Sequence, residues 1–506
     1  MSNPFLDDIA TDPRRDYGSV PGLNDHALDA LLDVFHTMVE ESLPRIHHKP
    51  VKAQLVLSVE PGYGKSHLIG RLFEQLRGKA TLVYLRPFIA TEGCWRSLLH
   101  RTVQELNYPD EATPAANVRQ GSPTQIEAFA CGVLSHLVAA LIERGELRSS
   151  NVEASVAYLR KNPLDAFGLM AREHTWGDWL RVVIPQSFEA MARELARTGM
   201  APRDCLPWLR VLFTLVLRRE NIDLHNACMD WIAAVPIDDE ARHSIALSAG
   251  DVATQEDDSE LCRRRLASLG FLAGYYRPFV LCFDQTDAYA DNPPLAKQFS
   301  HVVEFLLAEM PHQMTVVAAN RAPWDAGISP HFQNAQLARF RDLPISLEGI
   351  NARQARGLIH MRLDATETWH HPNSRRLDDA WIDQIFQGRS EMAVRSLLRE
   401  ASRRWEDEDA SFDIAEQSLQ ERFQATLQKH LDPASALSRF NAETLLWFVR
   451  EAAEGQCGLL VSRHEDRGYF TVRWQWEHNV RLFGFEGGSN ANRWGAIADR
   501  SWELHS

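Results

Sequence analysis

Val59-Glu60-Pro61-Gly62-Tyr63-Gly64-Lys65-Ser66-His67-Leu68 is the stretch that decides how this chain folds. It follows directly on the apolar run AQLVLSV. It continues into HLIGRLFEQLRG, where Leu68, Ile69, Leu72 and Leu76 fall on one helical face that Gly78 closes. The pattern predicts a buried strand, a tight glycine turn and an amphipathic helix in immediate succession. Gly62 and Gly64 let the backbone curl so that successive N–H groups point inward, and the helix beginning there adds the positive end of its dipole.

Such a turn is a cradle for phosphate. The eight residues Val59–Ser66 match GxxxxGK[ST] everywhere but the first position, where Val59 stands in place of glycine and narrows the backbone shapes permitted there. Lys65 is suited to meet the β and γ oxygens of a nucleotide, and Ser66 to ligate Mg²⁺. Pro61, Gly62, Tyr63, Gly64 and His67 complete the contact surface. An ordinary turn between strand and helix is the bland alternative, and the flanking pattern argues against it.

Upstream, Leu28, Leu31, Leu32, Phe35, Met38 and Val39 recur at helical spacing, and TLVYLRPF downstream reads as a second buried strand. From Cys94 to Leu269 the pattern becomes one amphipathic helix after another. Parallel-strand character returns in RPFVLCFDQTD and QMTVVAANRAP, two short apolar runs that end in polar residues and would deliver them to a common rim. The first ends at Asp284, the second at Asn320. ARQARGLIHMRL, DDAWIDQIFQG and MAVRSLLREASRRW then predict three helices, Gln417–Leu431 a further one, and LLVSR, YFTVRWQW and VRLFGFE a meander.

The expected organisation is α/β. An N-terminal helical segment (1–45) precedes a parallel-sheet core (46–93 and 266–345) that is split by a helical insert (94–265). A helical lid (346–410) and a small α+β module (411–506) follow. A length of 506 residues suits roughly three or four packed units.

Composition limits the function classes. Apolar residues make up 45% and charged ones 24%, as in globular proteins, and the formal charge of -14 speaks against an overall phosphate-tracking surface while leaving a local basic face open. Seven cysteines (Cys94, Cys131, Cys205, Cys228, Cys262, Cys282, Cys457) form an odd, scattered set with no CxxC, which opposes both a zinc site and a disulfide framework and fits a reducing cytoplasm. The N-terminal MSNPFLDDIATDPRRDYG lacks the apolar run of a signal peptide. Trp208–Leu217, taken as the most apolar window, is interrupted by Arg210, so no membrane partner is expected.

Taken in order, GYGKSHLI, the helical insert, FDQTD, TVVAAN, LARFRDLPI and MAVRSLL resemble the AAA+ P-loop ATPases of the initiator (Orc1/Cdc6-like) branch. The nearest likeness is to bacterial phage-defence ATPases of the BREX type. The resemblance covers about Asp25 to Arg404 and implies a homo-oligomer that binds ATP and Mg²⁺ and acts on DNA or partner proteins in antiphage defence. It makes Asp284 a metal-holding carboxylate beside Ser66, Asn320 a sensor between the γ-phosphate and water, and Arg339 or Arg341 the residue that reaches a neighbour's ATP. It also makes Arg395 the lid's own ATP-facing arginine, with Arg389 and Arg399 as rivals. The competing reading of each arginine is a solvated surface side chain.

Gln285 departs from this pattern. It stands where such enzymes carry a glutamate, and glutamine can orient water but cannot take its proton. Either Asp287 supplies the carboxylate, or the glutamine is a substitution that traps bound ATP; Asp287 as a cap of the following turn is the third reading. An ATP-gated switch with slow turnover that recruits an effector is therefore the alternative to a motor, and a replication or transposition regulator is a further one.

In the C-terminal module Tyr469, Phe470, Trp474, Trp476, Phe483 and Phe485 alternate with Arg473, His478 and Arg481. Core packing explains this by default, with a base-stacking face as the functional alternative. Asp466, Glu477 and Glu486 lack the lysine a nuclease would need. The chain ends within the amphipathic NRWGAIADRSWELHS, compatible with a piece of a longer protein.

Overall fold

The computed structural model describes residues 3–6, 12–15, 18–42, 51–110, 121–169, 176–248, 257–340, 343–368, 370–406, 460–466, 470–476 and 479–483. They belong to two compact units, Met1–Asp407 and Glu408–Ser506.

The first unit is built on a parallel sheet of β1 (Val51–Ser58), β2 (Thr81–Leu85), β3 (Phe279–Phe283), β4 (Gln313–Asn320) and β5 (Ile345–Ser346), in the spatial order β2-β3-β4-β1-β5. β2, β3 and β4 are buried at every residue, which is why they read as continuous apolar runs rather than alternating ones. β4 lies between β1 and β3. Its register sets Asn320 opposite Ser58 and Val317 opposite Phe283. The loop after β1, Asn320 and Asp284 consequently share one rim, as two strands that run parallel and end together require.

Helices cover both faces. On one, α1 (Asp25–Ser42) and α2 (Lys65–Leu76) bury Leu31, Phe35, Leu68 and Leu72 against Val56, Val280, Cys282 and Val316. On the other lie α3 (Cys94–Leu106) and α4 (Gln125–Glu143), with Phe129 of α4 meeting Phe279 of β3 at 5.6 Å between ring centroids. α5 (Val152–Lys161), α6 (Gly177–Arg197), α7 (Pro202–Leu217), α8 (Ile222–Ile232), α9 (Asp239–Ser244) and α10 (Asp258–Ala273) complete the stretch before β3, and α11 (Pro293–Glu309) joins β3 to β4. No strand occurs among the described residues between α3 and α10.

One expectation is corrected here. The helix with the length and composition of a membrane span is α4, mean hydropathy 1.7, rather than Trp208–Leu217, and 89% of it is buried inside the fold. A helix packed on all sides loses the polar stripe that marks a surface helix. Gly132 shows how tightly it sits, since a Cβ there would fall 2.1 Å from the Tyr276 ring.

The edge strand β2 is closed by side chains. Gln125 accepts from Leu82 N at 2.8 Å and donates to Leu82 O at 3.0 Å, Arg14 donates to the same carbonyl at 3.0 Å, and Glu105 accepts from Tyr84 N at 3.0 Å. These partners occupy backbone groups that an open edge would offer to another chain.

After β5, α12 (Ala352–Ala365), α13 (Asp379–Ile385) and α14 (Val394–Glu406) enclose their own core of Leu358, Ile359, Trp381, Ile382, Leu397 and Trp405. Phe5, Val20 and Leu23 from the start of the chain belong to this core, and Phe5 packs edge-on against Trp405 at 6.1 Å. This helical layer is therefore assembled from both ends of the unit.

The second unit contains an antiparallel meander of β6 (Leu460–Asp466), β7 (Phe470–Trp476) and β8 (Asn479–Phe483) in that order. Arg473 donates to Gln475 at 2.9 Å, two residues on along the same face. The helix expected at Gln417–Leu431, the closing amphipathic stretch, Tyr469, Glu477, His478, Phe485 and Glu486 lie outside the described residues. So do the side chains of Asp466, Phe470, Trp474, Trp476, Arg481 and Phe483.

Candidate functional site

The turn after β1 is made by Gly62 (φ 94°) and Gly64 (φ 93°), both left-handed, and α2 begins at Lys65. Val59 has no left-handed φ and is 65% exposed, so its side chain is accommodated without strain where the pattern has glycine. Gly62 is needed for space as well as for its backbone. A Cβ at this position would lie 2.7 Å from Cβ of Arg395, whose backbone N–H donates to Gly62 O at 3.3 Å. The start of α14 thus rests directly on the loop.

Lys65 Nζ donates to Ser58 Oγ at 2.9 Å and to Asn320 Oδ1, and Ser58 Oγ lies 2.9 Å from that same oxygen. Burial pushes the Lys65 ammonium below its ordinary pKa, with Asp287 and Asp284 opposing the shift and Arg395 adding to it. A lysine partly stripped of water and held among polar acceptors is ready to exchange them for phosphate oxygens.

Asp284 is 1% exposed and fully engaged. Its Oδ2 accepts from Ser66 Oγ at 2.5 Å and from Tyr84 OH at 2.8 Å, and its Oδ1 from Gln285 N at 2.8 Å. The hydroxyl of Ser66 and the carboxylate of Asp284 form a pair of hard oxygens beside the loop, the donor type Mg²⁺ accepts when phosphates and water fill its other positions. No group of three or more His, Cys, Asp or Glu able to hold a metal occurs among the described residues, so a cation here would be held in this sparse manner.

Asp287 neither stands free nor caps the turn with its side chain. Its carboxylate accepts from the backbone N and from Nδ2 of Asn320, both at 2.7 Å. Gln285 has φ 58°, an uncommon conformation for a residue with a side chain, and its side chain is exposed at the mouth of the site.

A cavity of about 470 Å³ extends from this cluster. Pro61 to His67, Asp284, Gln285, Asp287, Asn320, Arg362 and Arg395 line it with polar groups, and Val20, Leu23, Leu358, Val394 and Leu398 with apolar ones. The volume and the mixed lining suit a nucleotide-sized ligand. Asn24 (φ 57°) ties the walls together by donating to Tyr63 O and Glu348 O at 3.2 and 3.3 Å and accepting from Glu348 N at 2.8 Å. The His67 ring nitrogen is 2.7 Å from Gly18 O.

Of the arginines singled out in the sequence, Arg395 alone lines the cavity, and its Nε is buried without a protein partner. Arg389 and Arg399 are exposed and do not line it, Arg339 is exposed outside the cavity, and Arg341 lies outside the described residues. Sequence reasoning missed Ser58, Tyr84, Asn24 and Arg362, together with the apolar wall. Ser58 and Tyr84 are single polar groups within apolar strands, a signal that becomes specific only once the strand neighbours are known.

The α/β architecture and this loop are consistent with a P-loop NTPase fold. No family model and no curated protein matches the sequence. Among solved structures, VirB4 of Thermoanaerobacter pseudethanolicus is similar at 13% identity over 62% of this chain and 80% of that one. Its TM-score of 0.19 is too low to bear on fold or function, which rest on the sheet order and the residues at its rim.

Proposed function

We propose that this chain binds ATP with Mg²⁺ in the cavity at the β1, β3 and β4 rim and works as a slowly hydrolysing, AAA+ type ATPase whose nucleotide state controls its assembly. The observation that carries the reading is the convergence of Lys65, Ser66, Asp284 and Asn320 on one rim, beside an apolar pocket built from the lid. Lys65 and the loop amides would hold the β and γ phosphates, Ser66 and Asp284 the metal, and Arg395 would bring the lid onto the phosphates. The bound cation would neutralise phosphate charge.

Slow turnover follows from the two candidates for activating water. Gln285 has no basic group, and the carboxylate of Asp287 is occupied by Asn320. The exposed Arg339 supports completion of the site by a neighbouring copy. Following the resemblance to initiator-branch ATPases, the oligomer is proposed to act on DNA or on a partner protein in antiphage defence.

Equilibrium binding of a fluorescent ATP analogue, with phosphate release measured alone and with double-stranded DNA, tests the proposal. Binding that Lys65→Ala abolishes, with little phosphate release, is the expected result. Absence of binding by the unaltered protein would overturn it, and rapid DNA-stimulated release would replace the switch with a motor.

A further inference from the structure

Val280, Cys282 and Asp284 follow the two-residue alternation of β3 and so face the side of the sheet covered by α2. Tyr84 lies on the same side of β2, paired with Cys282 in parallel register, and its hydroxyl reaches one step further along to Asp284 Oδ2 at 2.8 Å. Tyr84 is 7% exposed, so its hydroxyl is largely shielded from solvent. The other end of Asp284 is fixed by Gln285 N.

Arg86, exposed just past the end of the strand, sets its guanidinium 5.9 Å from the Tyr84 ring centroid. The strand itself is constrained, because Glu105 holds Tyr84 N and Gln125 and Arg14 hold Leu82. Tyr84 and Ser66 thus donate to the same oxygen of Asp284, Tyr84 from a strand held on its outer edge.

We infer that Tyr84 is a positioning residue that holds the Asp284 carboxylate in place to receive Mg²⁺. Ser66 would give a lone pair to the metal and could keep its proton on Oδ2; Tyr84 is the second side-chain donor on that oxygen, and the one that does not itself serve as a metal ligand. Outer partners of this kind set metal affinity without touching the metal. The inference rests on the nucleotide reading of the site and adds to it a determinant of metal affinity.

The experiment is titration of a fluorescent ATP analogue into the full chain in EDTA, then of Mg²⁺ into the protein–nucleotide mixture. Tyr84→Phe should leave the EDTA affinity unchanged and raise the half-saturating Mg²⁺ concentration by about tenfold. Asp284→Asn sets the limit of a disabled metal site. An unchanged Mg²⁺ midpoint in Tyr84→Phe would overturn the inference, as would an equal loss of affinity with and without Mg²⁺, which marks a purely structural role. Failure of the unaltered protein to bind nucleotide in either condition would overturn the site reading and this inference with it; binding that responds normally to Asp284→Asn but not to Tyr84→Phe would overturn the inference alone.

Discussion

Asp287 and Asn320 are joined by two hydrogen bonds of 2.7 Å, one from the backbone N–H of Asn320 and one from its Nδ2. An amide whose nitrogen faces Asp287 must turn its oxygen the other way, toward Lys65 and Ser58. The carboxylate therefore determines which end of Asn320 meets the loop.

Removing that clamp gives the first prediction. Asp287→Ala leaves Nδ2 of the buried Asn320 without its acceptor and should destabilise the fold by about 1–3 kcal/mol, measured in urea denaturation. Phosphate release should fall while ATP binding persists. A free general base at Asp287 would instead lose turnover with no change in stability.

Lys65 makes stability depend on alkaline pH. Its folded pKa lies below the ordinary 10.5, so between those two values the unfolded chain binds one more proton than the folded one, and stability rises with pH across that window. Below the folded pKa this contribution no longer varies. Urea midpoints measured as a function of pH should show the rise in the unaltered protein and lose it in Lys65→Met. Nucleotide phosphates favour the charged amine, so binding in the window should take up a proton, seen as a calorimetric enthalpy that varies with the buffer.

Gln285 separates stability from chemistry. Gln285→Gly relieves the cost of φ 58° and should raise stability by roughly 1 kcal/mol, visible as a higher Tm. Gln285→Glu supplies the missing base at the mouth of the site and should raise single-turnover phosphate release by about 10²-fold. An unchanged rate in Gln285→Glu would place the limiting step elsewhere.

The contact between Gly62 and Arg395 should couple loop and lid. Gly62→Ala places a Cβ 2.7 Å from that of Arg395 in a conformation alanine resists, so it should weaken nucleotide binding while also displacing α14. Arg395→Met keeps the packing and removes the charge. It should lose about 10- to 100-fold in ATP affinity, the value of a charge-assisted hydrogen bond, with AMP binding changed far less. Competition binding with ATP and AMP measures both.

Much of the core was legible because its signals are local. A strand, a glycine turn and a helix are adjacent in sequence, so GYGKS carried its own context, and the strands leading to Asp284 and Asn320 could be recognised from their apolar runs and polar ends. The three helices after β5 and the strands β6 to β8 were legible for the same reason. Trp208–Leu217 misled because a helix buried all round, like α4, has no amphipathic stripe to announce it.

By itself, the sequence determined the phosphate-type loop, the order of its companion strands along the chain and the helical character of what separates them; backbone propensity and periodicity act over a few residues. Which residues meet was decided only by the tertiary structure. The spatial order β2-β3-β4-β1-β5 places Asn320 between loop and carboxylate, directs Asp287 to Asn320, and sets Tyr84 beside Asp284. Those contacts depend on strand neighbours and register across 200 residues of separation between Tyr84 and Asp284, and no local pattern encodes that pairing.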